Sequence, residues 1–294
     1  MELSVVIPAS GKRDLLVRCL TSLNRDIPDF PFDVCVIDDA SGLDGPIIER
    51  EAAVSYPLIV KSLETPRGRS AARNTGIAAT GGRIVVFLDA DMEVSPGFLA
   101  AHRTAHYSSP HTAVVGTIRW PPGGSFRRYV GSRGIAKLKS RDSVPPWYFV
   151  TGNASVERSD LPSEAPFDET LSGWGGEDLD LGMRLRDRGV GFATARDAVA
   201  YHHFDGTLRE HLSRTFDYGR TVLPGLTIRY PELVRITRLD HLASPFWRFL
   251  IGAPLYGSIG TIADLLDPLP LPDAVFDYLT FAAYARGWIR GTRS

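Results

Sequence analysis

Short apolar runs alternate with stretches in which apolar residues recur every three or four positions. The chain opens on the first kind: Leu3 to Ile7 is compact and β-branched and is stopped by Pro8, as expected of a buried strand. Leu15, Leu16, Cys19, Leu20 and Leu23 follow at helical spacing, and Phe32 to Ile37 is a second β-branched run that ends at Asp38-Asp39. Together they predict a βαβ unit with a right-handed crossover. Pro46 to Ala53 reads as a helix, Leu58 to Ser62 as a third strand, and Ser70 to Ala79 as an alanine-rich helix stopped by Gly81-Gly82. Ile84 to Leu88 is apolar throughout, the pattern of a central strand covered on both faces. A helix is predicted over Pro96 to Tyr107, with Ser95 as N-cap and Pro96 at N1, and a strand over Ala113 to Ile118.

The second half is less regular. Trp120 to Tyr148 mixes Pro-Gly breaks with Arg127-Arg128 and Pro145-Pro146-Trp147, and predicts an irregular lobe or lid over the sheet edge. A strand is expected near Phe149 to Val156. A helix should open at Glu177-Asp178, carry Leu181 and Leu185 on one face and close at Gly189; a short strand, Val199 to Tyr201, then leads into His202-His203. From about residue 208 helical patterns are interrupted by aromatic clusters and by the Pro-rich break at 267–272. Within 244–260, Trp247, Phe249, Leu250, Ile251, Leu255 and Tyr256 gather near Arg248, a surface suited to lipid, to core packing or to a dimer contact.

Composition narrows the function classes. Of 294 residues 44% are apolar and 23% charged, within the globular range and outside those of disordered, coiled-coil and collagen-like chains. Lys and Arg number 33 against 34 Asp and Glu, a balance that argues against wrapping nucleic acid. Cys19 and Cys35 fit neither a zinc knuckle nor a disulfide scaffold and are expected reduced in a core. No apolar run is long enough to span a membrane and no signal-peptide pattern opens the sequence. The expected location is the cytoplasm, with peripheral contact to the inner face of the cell membrane, or self-association, through the C-terminal extension.

Ligands of open α/β sheets bind beyond the carboxyl ends of the strands, and three predicted strands end in polar groups: Pro8-Ala9-Ser10, Asp38-Asp39 and Asp89-Ala90-Asp91. The first hundred residues therefore read as a nucleotide-type lobe. Two carboxylates after a buried strand are costly unless paired; Mg²⁺ or Mn²⁺ shared with diphosphate oxygens would satisfy Asp89 and Asp91, and although turn capping explains most bare Asp-x-Asp patterns, the position after Ile84 to Leu88 favours the metal reading. Asp38-Asp39 offers carboxylates to a base or ribose, or an Asx turn into Ser41-Gly42. Neither G-x-G-x-x-G nor G-x-x-x-x-G-K-[ST] is present, which removes the best support for a dehydrogenase or an ATPase. Arg67, Arg69 and Arg73 make either a phosphate clamp or a solvated basic face. Glu177-Asp178 at a helix N-terminus suits an ionised proton acceptor or simple capping. Gly173, Gly175 and Gly176 let the backbone and Trp174 approach a sugar face, or let Trp174 fill a core. One of His202 and His203 could join Asp91 on a metal, since alternate strand residues face opposite ways.

In combination these segments resemble family 2 glycosyltransferases of the GT-A fold. The resemblance runs from residue 3 to about 207 and rests on VVIPAS at 5–10, VIDDAS at 36–41, GRSAARNTGI at 68–77, VVFLDAD at 85–91, TGNASVERS at 151–159 and FDETLSGWGGEDLDLGMRLRDRG at 167–189. It implies an α/β fold with a mixed, mainly parallel sheet flanked by helices: a nucleotide-sugar-binding half over 1–118, an acceptor and catalytic half over 119–207, and a helical C-terminal extension over 208–294. By the same resemblance Pro8, Ala9, Ser10, Asp38 and Asp39 would surround the base and ribose, and Arg69, Arg73, Asp89 and Ala90 the nucleotide sugar. Asp91 would ligate a divalent cation, Mn²⁺ or Mg²⁺, with His202 favoured over His203 as the second ligand. Asp178 would be the catalytic base, and Asn153, Trp174, Gly175, Gly176 and Glu177 would line the acceptor side. Pro66-Arg67-Gly68 and Gly11-Lys12 depart from the family pattern and bear on donor orientation.

The reaction so implied is transfer from a nucleotide diphosphate sugar, UDP-sugar favoured, to a carbohydrate, lipid-linked or small-molecule acceptor, by single displacement with inversion. A glycoside hydrolase would also use paired carboxylates but has no need of Asp-x-Asp, basic group and histidine together. A GT-A-like carbohydrate- or nucleotide-binding protein without turnover is the alternative from another class.

Overall fold

The structure, a computed structural model, describes residues 1–138, 144–171, 173–203, 206–267 and 269–293. Residues 139–143 of the expected irregular lobe, Ser172, Pro268 and the side chain of Leu255 lie outside the described residues. In chain order the elements are β1 (Leu3–Ala9), α1 (Arg13–Asn24), β2 (Phe32–Asp38), α2 (Gly45–Ala52), β3 (Leu58–Ser62), α3 (Gly68–Ala79), β4 (Ile84–Leu88), β5 (Met92–Val94), α4 (Phe98–Ser108), β6 (Thr112–Arg119), α5 (Ser125–Gly131), β7 (Asn153–Glu157), α6 (Glu177–Asp187) and β8 (Gly191–His202). The helices that follow are α7 (Leu208–Thr221), α8 (Leu223–Arg229), α9 (Leu233–Ile236), α10 (Pro245–Leu250), α11 (Ala253–Leu265) and α12 (Asp273–Gly291).

The chain forms two compact units. The first comprises Met1–Pro121, Arg133–Thr170 and Glu177–Phe204, and the second Pro122–Ser132, Leu171–Gly176 and Asp205–Ser294. Two short segments of the expected 119–207 half thus group with the residues after 204.

All eight strands of the sheet belong to the first unit, in the order β3-β2-β1-β4-β7-β6-β8-β5. β3, β2, β1 and β4 run parallel, and β7 enters antiparallel between β4 and β6. The sheet is therefore α/β and mixed, with a parallel first half. The two-residue period of the strands sorts the core: Leu3, Val5, Ile7, Val86 and Leu88 pack with Leu16, Leu20 and Phe98, whereas Val6, Val85 and Phe87 pack with Ile77, Leu181 and Leu185. Every residue of β4 is buried, as its unbroken apolar run requires. Cys19 and Cys35 are free and buried.

Four elements differ from the sequence pattern. α4 starts at Phe98 after Gly97 at φ 84°, not at Pro96, and Ser95 makes no side-chain cap. The first-turn N–H groups of Gly97 and Leu99 instead donate to the Asp26 carboxylate, beyond the end of α1, a cap that local sequence does not announce. β7 starts at Asn153 because Phe149 closes a 3₁₀ turn, its N–H donating to the Pro146 carbonyl at 3.1 Å. β8 extends over twelve residues; its first half, Gly-Phe-Ala-Thr-Ala-Arg, lacks an apolar run and is held by parallel pairing with β6. β5, unpredicted, pairs with the end of β8 and sets Met92 opposite His202.

A buried polar network lies where α4 crosses β7. His102 Nδ1 is 2.8 Å from Ser155 Oγ and its Nε2 is 2.9 Å from Asn153 Oδ1, while His106 Nε2 is 2.8 Å from Ser155 Oγ. The Asn153 amide donates to the carbonyls of Thr117 at 3.2 Å and Ala198 at 2.9 Å. It thereby joins β6 to β8 at the register shift between Gly116 and Thr117.

In the second unit Thr207 and Glu210 form a capping box at the start of α7. α7 and α12 approach backbone to backbone: a Cβ on Gly219 would strike Tyr284, and one on Gly287 would strike the Phe216 carbonyl. Leu223, Leu239, Leu242, Ile251, Phe281, Ala282 and Ala285 form the core. Of the apolar residues gathered at 244–260, Ile251 is buried and the Trp247 ring packs edge-on to Phe281, whereas Phe249 is 75% exposed. Among the described residues no helix is long and apolar enough to cross a membrane.

Burial lowers the proton affinity of both network histidines, to about 4 for His102 and about 3 for His106. The unfolded chain takes up these protons near the ordinary value of 6.5, so between that value and the folded ones the unfolded state holds more protons. This contribution to stability is full above about pH 6.5 and shrinks as pH falls. Urea unfolding midpoints are expected to drop from pH 7 to pH 5, and His106→Gln should flatten the slope.

Candidate active site

The loops after β1 and β2 are stitched together by hydrogen bonds. Register sets Ala9 opposite Asp38; the Asp39 N–H donates to the Ala9 carbonyl at 2.8 Å, and the Gly11 N–H to Ser41 Oγ at 2.6 Å. Pro8 and Ala9 complete β1 and are buried, while Ser10 is exposed. The two neighbouring aspartates differ in environment. Asp38 is fully buried, and its carboxylate accepts the N–H groups of Ser41, Gly42 and Leu43 at 3.0 to 3.2 Å as well as the Ser41 hydroxyl. This is the Asx-turn reading; the expectation that Asp38 faces a nucleotide gives way to a role in shaping the loop. Asp39 instead accepts the N–H groups of Arg67 at 2.7 Å and Gly68 at 2.9 Å, the open donors at the start of α3.

α3 aims its arginines at the ends of β4 and α6. Arg73 is 1% exposed and lies 5.3 Å from the Phe167 ring centroid. Its Nη2 is 3.0 Å from Asp89 Oδ1, and its Nη1 is 3.0 Å from Glu177 Oε1 and 3.5 Å from Asp178 Oδ1. Arg69, 40% exposed, adds a second cation 3.1 Å from Glu177 Oε1. Such an array is tolerable in the interior only because each charge has opposite neighbours. The acidic partners raise the proton affinity of Arg73 despite burial, so it stays charged.

The carboxylates that open α6 respond in opposite directions. Burial works to raise Glu177, but Arg69 and Arg73 outweigh it and hold this acid below the usual range. Asp178 is pushed up to about 6, first by burial and then by the charge of Glu177, against the pull of Arg73, the Thr151 hydroxyl and Arg69. The expected helix-dipole effect is thus outweighed at Asp178, which holds its proton more tightly than an ordinary carboxylate. Glu177, expected to line an acceptor, is 4% exposed and committed to the two arginines. Asn153, expected beside it, is fully buried in the network with His102.

A second acidic group lies past β4. His202 Nε2 is 3.1 Å from Asp91 Oδ1, and its ring meets Trp120 edge-on at 4.4 Å. Burial would raise Asp91, but His202 and Lys12 hold it below the usual range. His203 turns elsewhere, its Nε2 2.9 Å from Glu93 and its Nδ1 3.0 Å from Arg18. Asp91 and His202 thus make a pair of one oxygen and one nitrogen donor, a set that suits Mn²⁺ or Mg²⁺ if diphosphate oxygens complete the shell. Among the described residues no group of three or more His, Cys, Asp or Glu side chains gathers as a metal site.

Gly173, Gly175 and Gly176 lie in the second unit at φ 141°, 83° and 94°. A Cβ on Gly176 would come within 2.5 Å of Val222, so both conformation and packing demand glycine there. Trp174 is 41% exposed. Three contacts were not singled out from sequence: Thr151 on Asp178, Phe167 against Arg73 and Trp120 against His202. Thr151 and Phe167 lie in the motifs at 151–159 and 167–189, but nothing local marks their partners.

A parallel first half, β3-β2-β1-β4, followed by antiparallel β7 before β6, β8 and β5, with acids at the ends of β2 and β4, is the GT-A architecture of glycosyltransferases. The sequence profile described as glycosyl transferase family 2 matches residues 4–161, and the chain belongs to that family. A pre-mycofactocin glycosyltransferase of Mycobacterium tuberculosis is 30% identical over 241 residues, covering 79% of this chain and 48% of the relative. An uncharacterized glycosyltransferase of Bacillus subtilis, YfnE, is 28% identical over 255 residues, covering 69% and 64%. The chain thus spans about half to two thirds of the length of these curated relatives. Among solved structures, the mannosyltransferase PcManGT from Pyrobaculum calidifontis, in complex with GDP-Man and Mn²⁺, shares the fold with a TM-score of 0.67 at 21% identity over 99% of this chain and 87% of that one. S. aureus TarS residues 1–349 with UDP gives a TM-score of 0.54 at 18% identity, over 99% and 92%.

Removing the buried cation should expose its energetic role. Arg73→Met is expected to cost about 3–5 kcal/mol in chemical unfolding, because Glu177 and Asp89 lose a buried partner. Arg69→Met, at a more exposed position, should cost about 1 kcal/mol or less.

Proposed function

We propose that the protein transfers a sugar from a nucleotide diphosphate sugar to an acceptor hydroxyl, with inversion at the anomeric carbon. The observation that carries this reading is the charge cluster around Arg73, which unites Asp89 at the end of β4 with Glu177 and Asp178 at the start of α6. Two motifs distant in sequence, one expected to hold the donor and the other the base, thereby share one guanidinium.

In the proposed reaction Asp178 accepts the proton of the acceptor hydroxyl. The acceptor oxygen attacks the anomeric carbon from the face opposite the diphosphate, the bond from that carbon to the phosphate oxygen breaks, and its electron pair leaves with the diphosphate. Arg69, the more exposed of the two arginines, is suited to bind the departing oxygens. Asp39 and the exposed Ser10 border the strand ends where base and ribose would rest. Asp91 and His202 would hold Mn²⁺ or Mg²⁺, whose charge would favour the leaving diphosphate. The indole of Trp174 offers a face to a sugar ring.

UDP-sugar is the donor proposed first; the GDP-Man bound to PcManGT makes guanine the base to compare with it. The acceptor class is a carbohydrate, a lipid-linked sugar or a small molecule. The alternative of a binding protein without turnover is weakened by Asp178, whose near-neutral proton affinity suits a base.

The test is binding and turnover of UDP-, GDP- and dTDP-sugars with Mn²⁺ and with chelator. Metal-dependent use of one donor, lost in Asp91→Ala, is expected. Asp178→Asn should lower kcat about 10²–10⁴-fold while donor binding persists. In the unaltered protein kcat should fall as pH drops through about 6, where Asp178 takes up its proton. Failure to bind any donor would overturn the reading; binding without turnover or hydrolysis would favour the binding protein.

A further inference from the structure

Thr151 is fully buried just before β7, and its hydroxyl donates to Oδ1 of Asp178. The same oxygen faces Arg73 Nη1 at 3.5 Å. Among the described residues no hydrogen bond is made to Oδ2, although the side chain is 24% exposed. The two oxygens of the carboxylate, equivalent in solution, are therefore distinguished by their surroundings.

The segment bearing Thr151 is itself pinned. The Gly152 carbonyl accepts the Asp89 N–H at 3.3 Å, and a Cβ on Gly152 would lie 3.0 Å from Asp89 Oδ2. On the other side Asn153 is opposite Leu88 in the β4–β7 ladder and is bonded on both ends of its amide. Thr151 is thus held by the backbone that flanks the Asp-x-Asp acids, and reaches from there to the start of α6.

We propose that Thr151 is a positioning residue for the base: by occupying Oδ1 of Asp178 it reserves Oδ2 for the acceptor proton. The inference deepens the proposed function and rests on its assignment of Asp178. A carboxylate with one oxygen tethered cannot turn freely about its last bond, so the accepting lone pairs keep one direction and less orientation is lost at the transition state. The hydroxyl also stabilises the charged form of the acid. The charged groups that face Asp178 are Glu177 on its own helix and Arg69 and Arg73 on α3, with Asp89 joined through Arg73. Thr151 is the neutral donor among them.

Thr151→Val keeps the shape and removes the donor; Thr151→Ser keeps the donor. In Thr151→Val the acidic limb of the kcat profile should move up by about one pH unit, with a fold-loss that grows as pH falls, unchanged donor KM, and recovery in Thr151→Ser. A carboxyl-carbon NMR titration of Asp178, assigned by difference from Asp178→Asn, should show the same upward move without any turnover. A purely structural role would lower the melting temperature and leave limb and titration in place, and that result overturns the proposal. Full activity in Asp178→Asn would overturn the assignment of the base and this role with it. Inactive Asp178→Asn together with an unmoved limb in Thr151→Val would overturn the role of Thr151 alone.

Discussion

The site depends on a guanidinium that water hardly reaches. Arg73 could not be placed in the first unit's interior without acids around it, and the acids could not be so close to one another without Arg73. This mutual requirement fixes three backbone segments at once: α3, the end of β4 and the start of α6. It also divides the labour of the two carboxylates on α6. Glu177 sits where both arginines reach it and remains charged; Asp178, one residue on, is raised first by burial and then by that charge, and becomes the easier of the two to protonate.

Around this centre the sheet acts as a frame. Parallel strands deliver the ends of β1, β2 and β4 to one side, while β7 runs back between β4 and β6 and brings Thr151 and Gly152 beside Asp89. α3 lies close against the frame at Gly76, where a Cβ would come within 2.5 Å of Val6. Its arginines are thus delivered by a helix seated on β1. On the far side, β5 pairs with the end of β8, and Asp91 and His202 meet there.

Much of this was legible in the sequence where one residue's environment follows from its neighbours. Ile84 to Leu88 reads as an interior strand, which places the acids after it at a strand end. Where a partner comes from elsewhere in the chain, the sequence was silent. Asp38 and Asp39 look alike in a row of letters, yet one is spent on its own turn and the other on the first turn of α3. Asn153 sits in a recognisable motif, but its amide is taken up by α4, β6 and β8. Asp26 caps α4 in place of Ser95 for the same reason. β8 was seen only at its apolar end, because its first half relies on pairing with β6 and not on a hydrophobic run.

For the nucleotide site proposed above, the hydrogen bonds from Arg67 and Gly68 to Asp39 would carry a thermodynamic consequence. A nucleoside group that engaged this carboxylate would draw it from donors already satisfied, so the gain is a difference between two hydrogen-bond sets and not the full value of the new one. The released N–H groups belong to the helix that carries Arg69 and Arg73. An anion arriving beside that terminus would find two unpaired donors as well as the cations. The base end and the phosphate end of a nucleotide would then be weighed against each other at one helix terminus, and discrimination between bases would be bounded by the small margin of that exchange.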